Sequence, residues 1–456
     1  MLFHTEWLKT IFNEYKGAVS PGIPIDEVST DSRKETHKSL FVPIVGEKFN
    51  GHDYFKQAFD QGAIAALWQK DRKLPGFVPT DFPVFFVEDT LKALQQLASA
   101  YRDKINPVVI GITGSNGKTT TKDMMASVVG SGYRTHHTKG NLNNHIGLPL
   151  TILSMPADTE VLVVEMGMSQ AGEIETLSKI AKPDYAVITN IGESHIEYLG
   201  SREGIADAKL EINSGLKENG LLVVDGDEPL LNKMHNLDYV ITCGFEIDND
   251  VVVNDVELTH NQTTFTLSDQ TVYAIPLLGR HHALNAAFAL TVADHIGGIS
   301  KTGAADALMA LQHTSMRFEL LTGRNGVSVI NDAYNASPTS MKAAINVVGQ
   351  MDGFERKVLV LGDIFELGEA SRDFHRSVAD SVDASIHVLF TYGKDAKEIS
   401  SVVSDRKQNI VCSHFGSKEE LLQALESYLS KETLILFKAS RGMQFEQLVE
   451  NVINPA

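Results

Sequence analysis

A run of seven residues, Gly114-Ser-Asn-Gly-Lys-Thr-Thr120, has the make-up of a phosphate-binding loop. In such loops glycines let backbone N–H groups approach an anion, a lysine neutralises it and a hydroxyl holds Mg²⁺. Lys118 and Thr119 fill the last two roles, with Gly114, Ser115, Asn116, Gly117 and Thr120 forming the rest of the cradle. The usual G-x-x-x-x-G-K-[ST] spacing would put its first glycine at Ile112; the nearest glycines are Gly111 and Gly114. Downstream stand two candidate ligands for a hard cation, Glu165 and His195, and a lysine, Lys209, inside Ile205-Ala-Asp-Ala-Lys-Leu-Glu-Ile212. Magnesium bound to a nucleotide keeps waters and phosphate oxygens, so one or two protein ligands suffice.

Singly, each residue has a plain explanation. A glutamate after a strand more often caps a helix or faces solvent, a lone histidine is usually a satisfied one, and a lysine on an amphipathic helix is normally solvated. The sharper possibility for Lys209 is chemical. A neutral lysine amine that adds CO₂ becomes an anionic carbamate with two oxygens for a metal, which requires that burial or nearby cations depress its pKa. Phosphate loop, carboxylate, histidine and lysine together predict a nucleotide-dependent ligase, with Lys118, His195 and Lys209 as its catalytic groups and Thr119, Glu165, His195 and Lys209 as its metal ligands.

These residues need elements to position them. Val108-Val-Ile-Gly-Ile112 is an apolar run short enough for a buried parallel strand that ends in the glycine loop, and Thr119–Val129 is helix-competent. Further runs at 161–164, 186–189 and 221–224 alternate with helix-like stretches at 171–180 and 205–216, the pattern of a doubly wound parallel sheet. Ligands bind outside the carboxyl ends of such strands, where Glu165 and Asn190 fall. Before Asn106-Pro107, short runs at 39–43 and 83–87 separated by turns suggest a small α/β domain over 1–105. After the central domain, 106–312, strand candidates at 327–330, 358–361, 387–390 and 434–437 predict a third, Rossmann-like α/β domain over 313–456.

Length agrees with three domains: 456 residues at roughly 100–200 per domain. With 43% hydrophobic and 21% charged residues, and no apolar run near the ~18 residues that span a bilayer, a globular chain without membrane insertion is expected. A formal charge of −18 disfavours nucleic acid and anionic lipid as partners, so a phosphate-bearing ligand must be held by local donors. Cys243 and Cys412 lack metal-type spacing, and Met1-Leu-Phe-His-Thr-Glu-Trp7 lacks the basic flank and apolar core of a signal peptide. A reducing cytoplasm and a monomeric enzyme are expected.

The residues also resemble one family, the Mur ligases of peptidoglycan assembly, over nearly the whole chain. Ser29-Thr-Asp-Ser-Arg33 and Phe49-Asn-Gly-His-Asp53 are similar to its uridine-nucleotide signatures, which implies UDP-sugar contacts by Ser32 and Arg33. Gly111-Ile-Thr-Gly-Ser-Asn-Gly-Lys-Thr-Thr120 matches the family's own phosphate loop, accounting for the irregular glycines. Thr138-Lys-Gly-Asn-Leu-Asn-Asn144 resembles its substrate loop, implicating Asn141, Asn143 and Asn144. By the same resemblance Glu165 and His195 fall on metal positions and Lys209 on a carbamylated lysine. Gly279-Arg-His-His-Ala-Leu-Asn285 is similar to a G-x-H-x-x-x-N motif, which sets His281 and Asn285 beside the nucleotide and leaves His282 a bystander. Met316-Arg-Phe-Glu319 and Asp332-Ala-Tyr-Asn-Ala-Ser-Pro338 imply Arg317 on the ATP phosphates, Asp332 near its ribose, and Tyr334 and Asn335 at the second substrate. Ser337 and Leu210 depart from the family's commoner asparagine and small residue, and Lys438-Ala-Ser-Arg441 matches a terminal motif to which no role is assigned.

What the resemblance implies is ATP-dependent joining of D-Ala-D-Ala to UDP-N-acetylmuramoyl-tripeptide through an acyl phosphate, with two Mg²⁺ ions and a carbamate on Lys209. The rivals are the ligase that adds a single diamino acid to the UDP-dipeptide, a folylpolyglutamate synthase-like ligase, and a non-catalytic P-loop switch. Absence of an Asp-Asn-Pro-Arg run where the chain has Gly362-Asp-Ile-Phe-Glu366 speaks against the first, and Ser29–Arg33 against the second.

Overall fold

The computed structural model describes residues 1–259, 261–312, 314–406 and 409–454. Its first sheet has five strands in the order Tyr15–Lys16, Val84–Val87, Ala63–Gln69, Ser39–Phe41 and Glu27–Ser29, parallel except for the first pair. Helix Thr90–Ile105 follows, opened by the Asp89 side chain, which accepts from Lys92 N, and closed by Asn106 in the left-handed region (φ 52°) ahead of Pro107. Its apolar face, with Leu94, Leu97 and Tyr101 fully buried, packs on helix Gly147–Leu153 of the next unit, and the Tyr101 hydroxyl donates to Met155 O at 2.8 Å. One hydrophobic cluster therefore runs unbroken from Phe3 and Leu67 to Val164 and Ile188.

The central sheet has seven parallel strands, ordered Val251–Val252, Val240–Gly244, Leu221–Asp225, Tyr185–Ile188, Val108–Thr113, Val161–Glu165 and Thr135–His137. From Val108–Thr113 the chain passes first to one side, through the edge strand Thr135–His137 and back to Val161–Glu165, and then to the other, through Tyr185–Ile188 onward, which makes the crevice beyond the carboxyl end of Val108–Thr113 the topological switch point. Glu165, the last residue of its strand and in register with Ile112, opens onto that crevice. Helix Lys118–Gly130 lies against helix Arg280–Ile296, which is approached through a three-stranded antiparallel sheet, Asn254–Leu258, Thr263–Thr266 and Val272–Ile275.

A third sheet has six strands, Glu319–Thr322, Ser328–Asp332, Thr433–Lys438, Arg356–Gly362, Val388–Tyr392 and Val411–Phe415, with only the first antiparallel to its neighbour. It carries two hydrophobic clusters of its own, one of which takes in Leu278 from the central unit. Among the described residues no helix is long and apolar enough to cross a membrane.

The expected strands form to within a few residues at each end, and one helix needs correction. The stretch 205–216 is not continuous: Ser201, accepting from Gly204 N, starts helix Arg202–Leu210, and Glu211–Gly215 then tightens into a 3₁₀ turn. Gly215 there presses so closely on the Ser178 carbonyl that a Cβ would not fit. The antiparallel sheet has no counterpart in the expectations, because Asn254–Leu258 is half exposed and polar at alternate positions, without a long apolar run.

Candidate functional site

A cavity of about 530 Å³ opens at the switch point, with the phosphate loop on one wall and the third unit on the other. The loop needs its glycines. Gly114 has φ +149° and a Cβ there would run into the Thr189 hydroxyl; Gly117 has φ +80° and a Cβ would lie 2.9 Å from Asn285 Oδ1. Two consecutive residues after strand Tyr185–Ile188 brace the loop: the Thr189 hydroxyl donates to Asn116 O (2.6 Å), while Asn190 accepts from Ser115 N through its carbonyl (3.1 Å) and from Asn116 N through Oδ1 (2.8 Å). Lys118 folds back on its own loop, donating to Gly114 O (2.8 Å) and Ser115 O (3.3 Å). Burial lowers its pKa, opposed by the charge of Glu165 and reinforced by Arg317.

Glu165 is the hub of the floor. Only 2% exposed, it accepts from the Thr119 hydroxyl (Oε2, 2.9 Å) and from Asn143 Nδ2 (Oε1, 2.8 Å), while its own N–H donates to Thr138 Oγ1 (3.0 Å). The solvated role open to a glutamate after a strand does not apply. Nor does the solvated-helix account of Lys209, which is 2% exposed and has no hydrogen-bond or ion-pair partner among the described residues. Burial and the nearby Lys118 cation hold its pKa well below the ordinary lysine value, favouring the neutral amine. His195, left-handed at φ +64°, sets its Nδ1 against the Glu366 carboxylate of the third unit. Burial lowers the imidazole pKa against the pull of Glu366, and Lys118 and Lys209 act in the same direction as burial.

Across the cavity, Arg317 lies over the Tyr334 ring, Cζ 4.1 Å from its centroid. Asp332 ends its strand beside Lys438 in register; its Oδ1 accepts from Phe318 N (3.2 Å) and its Oδ2 from Lys438 Nζ (2.6 Å). His281 projects from the first turn of helix Arg280–Ile296, and burial within the cleft followed by the Lys438 charge lowers its pKa. His282 lines the cavity too, with Nδ1 3.5 Å from Asn285 Nδ2.

Polar contacts bind the two walls together. Ser337, which caps helix Pro338–Gln350, donates from Oγ to Asn116 Oδ1 of the phosphate loop (3.0 Å). Thr339 donates its hydroxyl to both Glu193 carboxylate oxygens (2.9 and 2.7 Å), and the Thr314 hydroxyl reaches Asp123 (2.7 Å).

Of the residues singled out in the sequence, the phosphate loop, Asn143, Asn144, Glu165, His195, His281, Asn285, Arg317, Asp332, Tyr334 and Asn335 share this cavity. Lys209 stands behind its wall, close enough to act electrostatically on His195. Asn141 is exposed and outside it. Ser32 and Arg33 lie apart on the first unit, Ser32 donating to Gln57 Oε1 (3.0 Å) and Arg33, 79% exposed, pairing with Asp31 (2.9 Å). Lys438, Ser337, Thr339, Glu193 and Glu366 were absent from the sequence-based site. Ser337 and Lys438 had a signal, since both fall in segments that resemble family motifs.

Comparison with known proteins gives matches to three family models: "Mur ligase family, catalytic domain" over residues 24–102, "Mur ligase middle domain" over 112–293, and "Mur ligase, glutamate ligase domain" over 316–441. The chain is 49% identical over 431 residues to the UDP-N-acetylmuramoyl-tripeptide--D-alanyl-D-alanine ligase of Bacillus subtilis (strain 168), covering 94% of this chain and 93% of that one. It superposes on MurF from Acinetobacter baumannii with a TM-score of 0.85 (28% identity, 98% of each chain). MurF from Thermotoga maritima in complex with ADP gives 0.81 (30% identity, 93% of this chain and 96% of that one).

Proposed function

The chain belongs to the Mur ligase family, and from that premise we propose that it joins D-alanyl-D-alanine to UDP-N-acetylmuramoyl-tripeptide at the expense of ATP, forming the pentapeptide precursor of peptidoglycan. The observation that carries this is the two-walled cavity, in which a phosphate loop with its carboxylate faces Arg317 and Asp332 of another sheet. Residues 1–105 would hold the UDP-sugar, with Ser32 and Arg33 among its contacts, 106–312 the ATP phosphates, and 313–456 the incoming dipeptide and the far side of the nucleotide. Relatives at 33–49% identity carry the name of the D-alanyl-D-alanine ligase, which speaks against addition of a single diamino acid and against folate polyglutamylation.

A carboxylate is a poor electrophile, because its charge resists attack and its oxygen leaves badly. Attack of the tripeptide carboxylate on the γ-phosphate breaks the bond to the β-phosphate, giving ADP and an acyl phosphate; the neutral dipeptide amine then adds to the carbonyl, inorganic phosphate leaves and a proton is lost. Lys118 would exchange the carbonyls of Gly114 and Ser115 for phosphate oxygens, while the loop N–H groups and Arg317 offset charge on the transferring group. His281 and Asn285 would orient the nucleotide, Asp332 its ribose, and Tyr334 and Asn335 the dipeptide. With the third unit drawn across, water is kept from the acyl phosphate.

The floor fits magnesium. Thr119, Glu165 and His195 all line the cavity and offer a hydroxyl, a carboxylate and an imidazole, a mixed donor set of the kind that suffices when phosphates and waters complete the shell. Thr119 and Glu165 already meet at 2.9 Å, and His195 completes the side toward the third unit. Lys209, buried, disposed to be neutral and unpaired among the described residues, is in the state from which a carbamate forms, and as such would add two oxygens for a pair of ions. Mg²⁺ held by these residues would supply neutralisation of charge on the phosphates.

A coupled assay of ADP release tests the proposal. Turnover should require UDP-tripeptide and D-Ala-D-Ala together; turnover with UDP-dipeptide and a free diamino acid, or with a folate and glutamate, would replace it.

A further inference from the structure

Lys438 is a buried cation to which the proposed reaction gives no task. It ends the strand Thr433–Lys438, is 3% exposed, and lines the cavity. Its ammonium makes two contacts, donating to Asp332 Oδ2 at 2.6 Å and to Asn335 O at 3.2 Å. One side chain thus grips both ends of the turn that carries Tyr334, the ring beneath Arg317.

We propose that Lys438 is the positioning residue of the nucleotide site: by donating to Asp332 Oδ2 and to Asn335 O it aims the Asp332 carboxylate into the cavity and fixes the Asp332–Asn335 turn, so that Asp332 meets the nucleotide as an acceptor. This rests on the placement of the nucleotide against Asp332 made above.

Enclosure in the cleft is the largest influence on Asp332 and raises its pKa; the Lys438 charge and hydrogen bond, the Phe318 N–H and the Arg317 charge oppose it. Remove the ammonium and enclosure acts against a much weaker opposition, so the carboxyl takes up a proton nearer neutral pH and offers the ribose a proton instead of a lone pair. Across the cleft, His281 is the group that faces Lys438, and burial keeps it low, hence neutral above pH 7. Arg317 is the other cation that acts on Asp332. Between pH 7 and 9, Asp332 is therefore the group whose state the Lys438 substitution alters.

The test measures ADP affinity at pH 7, 8 and 9 for the full chain and for Lys438→Met, Lys438→Arg, Asp332→Asn and the Asp332→Asn/Lys438→Met double variant. Lys438→Met should bind about ten-fold more weakly at pH 7, the scale of one charge-assisted hydrogen bond, and recover as pH rises. A lysine kept only for packing would give a loss indifferent to pH. Lys438→Arg should retain most of the affinity. Asp332→Asn should bind weakly at every pH, and the double variant no worse than Asp332→Asn, because the two substitutions act through one carboxylate. Since the double variant removes both charges, it also serves if Lys438→Met alone fails to fold. Weak binding by Asp332→Asn with further, additive loss in the double variant, or with a Lys438→Met affinity equal to that of the parent or reduced equally at all three pH values, overturns the role of Lys438. Parent-like binding by Asp332→Asn overturns the nucleotide placement itself, and the role of Lys438 with it.

Discussion

Replacing Thr339 by valine removes one hydroxyl from the junction between the central and third units and almost no volume. That hydroxyl donates to both oxygens of Glu193, at 2.9 and 2.7 Å, in a pair that is partly open to water. A hydrogen bond to a charged group contributes roughly 1.5–3 kcal/mol when shielded, and solvent discounts it to about 1 kcal/mol here. That amount shifts the balance between joined and separated walls about five-fold. Because the phosphate loop and Arg317 must face the same nucleotide, kcat/KM for ATP should fall by a similar factor where joining limits turnover. Thr339 also lines the cavity, so a direct substrate contact has to be separated from a clasp. Glu193→Gln supplies the separation. If the clasp is the cause, Thr339→Val and Glu193→Gln each lower kcat/KM and the double variant is no worse than the poorer single one. Steady-state ADP release with both co-substrates saturating reads this directly, and small-angle scattering should show a larger radius of gyration in the variants. Additive losses, or an unchanged kcat/KM in Thr339→Val, would refute the reasoning.

Lys209→Ala should fold, since it removes a buried, unpaired amine, yet lose ligation, with a short carboxylic acid restoring part of it in the ADP assay; full activity without the acid would contradict a metal-bridging lysine. Gly114→Ala should lose nucleotide binding by calorimetry, because φ +149° and the Thr189 hydroxyl both exclude a Cβ, whereas Gly130→Ala, at the far end of the following helix with nothing within 4 Å, should keep it. Asp225, raised to about 7 by burial, holds its proton longer folded than unfolded, so its contribution to stability is present below about pH 4 and lost as pH climbs to 7, on the order of 1 kcal/mol per unit. Asp225→Asn should accordingly show a smaller drop in Tm between pH 5 and pH 8 than the parent, and an equal drop would count against that assignment.

Much of this was visible in the chain itself, and the limits have physical causes. The strand before the phosphate loop, the loop's glycines and Glu165 at a strand end are local patterns, set by apolar runs and turn chemistry within a few residues. Lys209 could be named but not judged, since its meaning depends on burial that a helical pattern at 205–216 misstated. Ser337 to Asn116 and Thr339 to Glu193 join residues more than a hundred positions apart, and no periodicity encodes such meetings. Lys438 reads as an ordinary strand-end lysine until Asp332 is found beside it in the next strand. The family resemblance supplied Ser32 and Arg33, which are not among the residues lining the cavity.

The seam between the first two sheets and the junction with the third are made of different materials. Phe3 and Leu67 belong to the same apolar mass as Val164, so parting those sheets would expose hydrocarbon to water. The third sheet meets the central unit through hydroxyls and carboxylates together with a small apolar contact of Leu278, Ile196 and Leu258, and water can replace the polar bonds like for like. Any travel during turnover would thereby fall to the last unit, with the first two, fused through one apolar mass, as the frame it would move against.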